Sequence, residues 1–462
     1  MIEHGFEPVV LWTDALFFAL LVAMAGGLWH AWRSPPLRAQ WQKVTGRATG
    51  MSAIVVLLAF LVIGVLDSLH FRAALAPTEN TSQTVYSTEV NSVLDLLLAR
   101  QRQENERTYS APLATHAYVK DTIELPGGGQ AREYPRLRYG GAGLGEGGDA
   151  HREDVLERVA IGIGLGAAAS VAALVLVGAG VGGPLTLLRG RTRLAWRAAW
   201  VTFSIIALVT GVLYSLAQGY HVFGTDKVGQ DVLVLTLKSV RTALMIGTLT
   251  TLVTLPIAIA LGIMAGYFGG WVDDVIQYIY TVLNSIPGVL LIAAAVLMMQ
   301  VFIELHPEWF STAAARSDAR LLALCVILGM TSWTGLCRLL RGETLKLREL
   351  EYVQAARAFA VPTPKILLRH ILPNLMHIVL IALVMDFSGL VLAEAVLSYV
   401  GIGVDPTMAS FGTMINAARM ELARDPMVWW SLAAAFVFMF VLVLAANLLA
   451  DVVRDAFDPR AG

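Results

Sequence analysis

Side chains suited to specific chemistry are sparse in this sequence, and the densest grouping is Glu351–Asn374, EYVQAARAFAVPTPKILLRHILPN. Tyr352, Ala355, Ala356 and Phe359 recur at i, i+3, i+4 and i+7, which gives a short helix one apolar face. Ala355 and Ala356 keep part of that face flat enough to enter a groove. Pro362 and Pro364 then stop the helix, since each lacks an N–H and restricts the residue before it. Ile366, Leu367 and Ile371 open a second helical run, which Pro373 can kink. The chemistry of such a helix–break–helix is recognition: docking into a partner's groove, or lying on lipid headgroups. Periodicity leaves both open.

Two acids stand inside apolar runs, Asp14 and Asp386. A carboxylate at mid-bilayer costs about 2.5–3.5 kcal/mol on insertion scales, so each must face protein or water. Asp14 is near the outer end of its run and is expected to reach the interface; Asp386 is deeper and is the candidate for lining a substrate path. Cys325 and Cys337 would be about 18 Å apart on one helix, too far to pair, and read as small buried hydrophobes. No G-x4-G-K-[ST] loop is present to cradle ATP. There is also no H-E-x-x-H, no G-x-S-x-G and no Cys/His cluster at metal-ligand spacing. The expectation is a non-enzyme with no catalytic residue, metal or cofactor of its own, driven by another subunit or by an ion gradient.

The composition says what scaffold holds these residues. The 462 residues are 56% hydrophobic and 15% charged, with a mean hydropathy of +0.64. Soluble domains run near 25% charged, so lipid is the expected solvent. A net charge of −1 supplies no global basic field for nucleic acid. Apolar runs of bilayer length fall at Val9–Leu28, Met51–Leu66, Val159–Val181, Ala198–Ala217, Val240–Tyr267, Tyr278–Phe302, Leu321–Leu340, Ile371–Tyr399 and Val428–Ala450. These predict about nine transmembrane helices, because the runs are too long and too little alternating for barrel strands. The first lacks a basic n-region and a cleavage site, so it reads as a true span.

Cations set the orientation. Arg33, Arg38, Lys43 and Arg47 follow the first run, Arg189, Arg191, Arg193 and Arg197 the third, and Arg338, Arg341, Lys346, Arg348, Arg357, Lys365 and Arg369 the seventh. These loops share one side if the spans alternate, and that side is cytoplasmic, with the N-terminus outside and the C-terminus inside. The long segment Asp67–Arg158 then faces outward. Within it Thr84–Glu106 predicts an amphipathic helix carrying Val90, Val93, Leu94, Leu97 and Leu98 on one side, and Gly-rich Leu125–Ala150 predicts irregular chain. It reads as a cover over the outer ends of the first helices or as a docking surface for an outside partner.

Glu351–Asn374 resembles the EAA loop of binding-protein-dependent ABC importer permeases, roughly EAA-x3-G-x9-I-x-LP. Gln354 takes the Glu place, Ala355 and Ala356 match, Ala360 takes the Gly place, and Leu372–Pro373 closes the pattern. The wording EYVQAARA…RHILPN is most similar to the C-type permeases of the dipeptide, oligopeptide and nickel group. FGTDKVGQDVL (Phe223–Leu233) resembles their outer GTDxxGRDV motif, with Gln230 for Arg. GYFGGWVDD (Gly266–Asp274) resembles an inner turn of paired glycines that leaves Asp273 and Asp274 in water. SIPGVLLI (Ser285–Ile292) and Ala393–Ile415, with Phe411 where Trp is usual, extend the likeness. In the tail NLLADVVRDAFDPR (Asn447–Arg460), Asp451, Arg454, Asp455 and Asp458 make a charged face and Ala450 replaces Gly. The resemblance covers roughly Phe223–Arg460.

What it implies is an all-α, polytopic protein: a type I ABC importer permease core over residues 196–462, with a three-helix extension over 1–195 that carries the outer segment 67–158. By the resemblance Tyr352, Gln354, Ala355, Ala356, Arg357, Phe359, Ala360 and Pro373 form the loop that enters a cleft of an ATPase subunit. It implies a second permease subunit, one or two ABC ATPase subunits that bind the ATP, and an extracytoplasmic solute-binding protein, all at a bacterial cytoplasmic (inner) membrane and its lipid. Peptides, or nickel and related small solutes, are the implied cargo. Two departures matter. A left-handed Ala360 would cost about 1–2 kcal/mol, so the turn is expected to be made differently, with Pro362. Gln354 removes any salt bridge at its place. A secondary transporter or channel would favour buried charges in several spans and inverted repeats. A non-transporting membrane scaffold would leave the coupling loop unexplained.

Overall fold

The computed structural model describes residues 5–74, 86–124, 130–144, 148–190, 192–310 and 312–457. The chain opens with strand β1 (Phe6–Val9), then helices α1 (Trp12–Arg33), α2 (Pro35–Gly46) and α3 (Ala48–Ser68). The segment expected to lie outside follows with β2 (His70–Ala73), β3 (Asn91–Ser92), short α4 (Val93–Leu97) and α5 (Ala99–Gln103), and a hairpin of β4 (Asp121–Glu124) and β5 (Gln130–Glu133). Next come α6 (Gly148–Gly180), α7 (Pro184–Leu188), α8 (Trp196–Ala217), α9 (Val232–Phe268), α10 (Gly270–Ser285) and α11 (Gly288–Leu305). The remainder holds α12 (Ala313–Ser332), α13 (Thr334–Arg348), α14 (Glu351–Ala358), α15 (Thr363–Ile366), α16 (Leu372–Tyr399), α17 (Phe411–Glu421) and α18 (Trp430–Phe457).

Among the described residues eight helices are long and apolar enough to cross a membrane, or nine when α12 and α13, bent by 40° at their junction, count as one. This agrees with the expected number. Two runs differ in detail. The sixth is not one helix from Tyr278: Ile286 and Pro287 interrupt it, because Pro removes a donor and pushes the residue before it to extended backbone (Ile286 ψ 132°). The seventh bends at Trp333, where the hydroxyl of Thr334 donates to Asn284 Oδ1 at 3.1 Å.

The chain divides into two compact units. The first comprises 1–10, 42–242 and 409–445. In it α6 and α8 lie backbone to backbone: a Cβ on Gly162 or Gly166 would stand 2.6 Å from the Cα of Val212 or Leu208. Small residues permit this approach, and interhelical polar contacts reinforce it in lipid; Trp200 Nε1 donates to the Ser170 carbonyl at 3.1 Å. The expected amphipathic helix over Thr84–Glu106 is shorter than predicted. Thr84 and Val85 lie outside the described residues, and Ser92 and Asp95 form a capping box that fixes the helix start at Val93. Leu98 then separates α4 from α5. Leu125–Ala150, expected to be irregular, includes β5 and the first residues of α6; positions 125–129 and 145–147 lie outside the described residues.

The second unit comprises 11–41, 243–408 and 446–462. Its core joins Ala258, Ile263, Tyr267, Leu336, Leu340, Val353, Ile366, Ile371 and Leu375, so one end of α9, of α13 and of α16 and the short α14 and α15 share one apolar cluster. At about 25 cal/mol per Å² of buried apolar surface, this shared burial holds α14 in place far more than its own eight residues would. In the tail, Val452, Val453 and Phe457 point inward while Asp451, Arg454 and Asp455 are exposed, as the charged face requires; Asp458 lies outside the described residues.

Candidate functional site

The loop at 351–374 is built around one inward face. Val353 is 0% exposed and Ala356 9%, and both join the apolar cluster of the second unit. Tyr352, Ala355 and Phe359 are exposed on α14, Phe359 at 84% and Tyr352 at 43%. The face expected from periodicity therefore splits. Ala356 does not join the outward surface, because a helix needs only a narrow stripe to anchor it and Val353 and Ala356, three apart, supply that stripe. Gln354 is exposed, and its amide donates to the Glu349 carbonyl at 3.1 Å rather than to any charged group.

The turn after α14 is left-handed at Ala360, with φ at +54°. This corrects the expectation that an alanine there would shift the turn to Pro362. Val361 N–H donates to Ala356 O and Ala360 N–H to Arg357 O, both at 3.0 Å, which is the Schellman pattern. Two otherwise orphaned carbonyls are satisfied and Val361 packs on the cluster beside Ala356. These gains outweigh a left-handed alanine's cost of about 1–2 kcal/mol. Pro362 serves instead as the N-cap of α15.

Beyond α15 the chain makes a π turn over Leu367–Ile371. The wider turn sits where Pro373 would otherwise press on the carbonyl four residues back. Asn374 ties the two helices together, its amide donating to His370 O at 2.7 Å and to the Tyr352 hydroxyl at 3.1 Å.

Cations fix the loop to the end of α9. The Arg348 guanidinium donates to the Tyr267 carbonyl at 3.2 Å, capping the C-terminal dipole, and the Arg357 guanidinium lies 5.6 Å from the Tyr267 ring centroid. Arg341 grips Asp273 bidentately at 2.5 and 2.6 Å. Asp273 was expected in water beside Asp274; only Asp274 is exposed. Gly269 and Gly270, at φ +66° and +54°, make the tight turn that lays the first turn of α10 against α13. The Arg341 guanidinium beside Asp273 holds its carboxyl below the usual carboxylate range. Nothing in the spacing of 273 and 341 announced this pair.

The outer motif at 223–233 is packed in the opposite manner. Asp226 Oδ1 accepts from the N–H groups of Val228 and Gln230 at 2.9 and 2.8 Å, and Asp231 Oδ1 accepts from Leu233 N–H at 2.8 Å where α9 begins. Irregular chain from the segment between α3 and α6 lies directly on this turn. Glu106 N–H donates to Gly229 O at 3.0 Å, Thr225 N–H to Ser110 O at 3.1 Å, and Leu113 N–H to His221 O at 3.0 Å. A Cβ on Gly229 would collide with the Glu106 carbonyl, so glycine is required there.

Buried charges accompany the contact. His221 Nδ1 lies 2.8 Å from Asp231 Oδ2, and its Nε2 lies 3.6 Å from Glu106 Oε1, an ion-pair distance too long for a hydrogen bond. Glu106 also accepts from the N–H groups of Arg138, Tyr139 and Gly140 at 2.8–3.1 Å. Burial opposes its charge, but His221 and these donors outweigh burial and hold the carboxyl down at about 2. Burial likewise opposes the imidazolium; Asp231 and Glu106 outweigh it and hold His221 up at about 9. A second cluster joins Lys238 to Asp95 at 2.7 Å, while Ser92 Oγ donates to Asp67 at 2.7 Å.

The two acids singled out in apolar runs fare differently. Asp14 faces protein: it is 1% exposed, in the first turn of α1, where the neighbouring Thr13 N–H donates to Asp318 at 3.2 Å. Asp386 is half-buried on α16. Two turns further along the same helix, Glu394 is more deeply buried and accepts from Ser398 Oγ at 2.6 Å; sequence scanning passed over it.

A helical protein of this kind, with a short helix held on one face and presented on the other, is a polytopic membrane protein in architecture. The profile of the binding-protein-dependent transport system inner membrane component matches residues 258–462. The oligopeptide transport system permease protein OppC of Mycobacterium bovis is 32% identical over 241 residues, covering 52% of this chain and 76% of that protein. The glutathione transport system permease protein GsiD of Pectobacterium atrosepticum is 34% identical over 242 residues, 52% of this chain and 73% of that protein. The dipeptide transport system permease protein DppC of Lactococcus lactis is 31% identical over 241 residues, 52% and 64%. The chain belongs to the binding-protein-dependent transport system inner membrane component family. It is a multi-pass, membrane-spanning permease subunit of an ABC importer.

Proposed function

We propose that this permease imports peptides across a bacterial inner membrane, and that Tyr352, Ala355 and Phe359 form the seat of an ATPase subunit that supplies the energy. One observation carries the reading: a helix buried to 0% exposure at Val353 presents an aromatic at 84% exposure on the other side. A large exposed aromatic beside a flat alanine is the anchor arrangement of a helix-in-groove contact. The rigid mounting on Tyr267 lets a pull on α14 reach α9 and α16 through the shared core.

In this reading the chain itself performs no catalysis, and the nucleotide belongs to one or two ATPase partners. A second permease subunit and an extracytoplasmic solute-binding protein complete the assembly. The N-terminus lies outside and the coupling loop and C-terminus lie in the cytoplasm, from the distribution of arginines. Residues 196–462 are the permease core and 1–195 an extension; Asp386 is a candidate for the substrate path. Names of relatives that carry oligopeptides, dipeptides and glutathione support peptide-like cargo.

Ala355→Trp tests the seat, because it fills the flat part of the exposed face without touching the core. Co-purification of the ATPase is expected to fall about tenfold or more, with ATP-driven uptake falling in step. Undiminished association would show that the ATPase docks elsewhere.

A further inference from the structure

Three stretches of the first unit, far apart in the chain, meet at Gly224. A Cβ there would stand 2.4 Å from the Ser110 carbonyl oxygen and 2.9 Å from Trp430 Nε1, and φ is +71°, so the junction is closed to any larger residue. Two of the stretches adjoin membrane-spanning helices: the turn at 223–231 precedes α9, and the loop at 422–429 joins α17 to α18. The third, 106–118, belongs to the segment between α3 and α6.

That third stretch bonds to both of the others. Toward the turn, Ser110 N–H donates to Thr225 Oγ1 at 2.7 Å, and Thr225 Oγ1 donates to the Thr108 carbonyl at 2.9 Å. Toward the loop, the Tyr109 hydroxyl donates to Glu421 Oε1 at 3.2 Å and the Tyr118 hydroxyl to the Met427 carbonyl at 3.1 Å. The Tyr118 ring also meets Trp430 edge-on, with 4.8 Å between centroids, and the Arg424 guanidinium lies 5.1 Å from the Tyr109 ring centroid. Tyr109 and Glu421 are both buried. Glu421 Oε2 has no hydrogen-bond partner among the described residues, so the Tyr109 hydroxyl is the donor that satisfies this carboxyl. Tyr118 N–H donates to Tyr109 O at 3.1 Å, which joins the two tyrosines in one local fold. The turn also meets the start of α18 directly, through Trp430 Nε1 donating to the Thr225 carbonyl at 3.0 Å.

We propose that residues 106–118 are a strap that fastens the turn before α9 to the loop between α17 and α18, so that the starts of two membrane-spanning helices keep one fixed spacing throughout the transport cycle. Buried polar groups satisfied on both sides, with backbone packed against backbone, favour one discrete arrangement over a graded series. The strap is separate from the seat on α14 and does not depend on where an ATPase docks.

The test places spin labels on Val228→Cys and Met420→Cys, two exposed positions, in the full chain in nanodiscs; Cys325 and Cys337 are fully buried and stay unlabelled. Dipolar electron paramagnetic resonance is expected to give one narrow distance distribution when the strap is intact. Tyr109→Phe combined with Tyr118→Ala is expected to broaden it about twofold, since a loop released from its support samples more positions. Val119→Ser, at an exposed neighbour in the same stretch, is expected to leave it unchanged. Tyr118→Phe removes only the bond to Met427 and gives a smaller broadening, which covers the case in which the double variant does not fold. Unchanged widths in the tyrosine variants would mean that Trp430 alone joins turn and loop, and would overturn the strap. So would equal broadening by Val119→Ser. In the assembled importer, ATP with vanadate is expected to leave the intact distance where it was; a shift of about 5 Å, the scale of a one-turn slippage, would show that the two move separately.

Discussion

The loop around α14 and the loop at 223–233 were both singled out by their sequence, and they are finished in opposite ways. The first exposes its aromatic side chain and keeps its charges at the rim. The second is covered by the chain's own outer segment, with glycine against backbone and an imidazole enclosed by two carboxylates. On the proposed function the first accepts a separate subunit, and such a surface has to be left unsatisfied on one side. A surface whose partner is already part of the chain can be closed, and buried charge then fixes its register.

The largest expected effect lies at the closed surface. His221→Ala leaves Glu106 and Asp231 buried without their cation, at a cost of about 3–5 kcal/mol. Limited proteolysis of the outer segment, timed on the detergent-solubilised chain, is expected to speed up markedly. Unaltered protection would mean that the backbone contacts alone hold the segment. The wild-type protein should show the same loosening with alkali. His221 is raised in the folded state, so its contribution is complete below the unfolded value near 6.5 and is lost as pH rises through about 9. A proteolysis rate flat from pH 6 to 10 would remove the charge from the account.

An intermediate effect belongs to the open surface. Phe359→Ala should cost about 2 kcal/mol of ATPase affinity, roughly thirtyfold, measured by titration of the ATPase onto the permease. It should leave the thermal unfolding of the permease alone unchanged, since the ring touches little of its own chain. A matching loss of stability would show that Phe359 is a structural residue and erase the contrast.

The smallest effect sharpens the comparison. Ala360→Gly removes the left-handed penalty and should stabilise the turn by about 1 kcal/mol, less the entropy that glycine costs the folded chain. Hydrogen exchange at Val361 N–H is the direct readout, and faster exchange in the variant would contradict it.

Much of this was legible in the amino-acid order. Bilayer-length runs give the helices because lipid demands internal backbone pairing, and the helix–break–helix at 351–374 announces itself through proline and a 3.6-residue period. Pairs distant in the chain were not legible. Asp273 with Arg341, His221 with Glu106 and Lys238 with Asp95 have no mark in local spacing, since any of these residues reads locally as a solvated charge. Ala360 misled for a different reason. Its propensity argues against a left-handed turn, and only the Schellman bonds and the packing of Val361 show why the turn persists.

The outer clamp also sets an order of events during synthesis. Ser110 and Thr225, whose groups bond across the clamp, are 115 residues apart in the chain. At translation rates of about 5–20 residues per second, this part of the segment waits on the order of ten seconds for the loop it bonds to. Until then Glu106 has no imidazole to face and the chain around Ser110 has no turn to bond to. The chain around Ser110 is thus open to proteases and chaperones for that interval, although in the finished protein its backbone and its Glu106 carboxylate are both bonded.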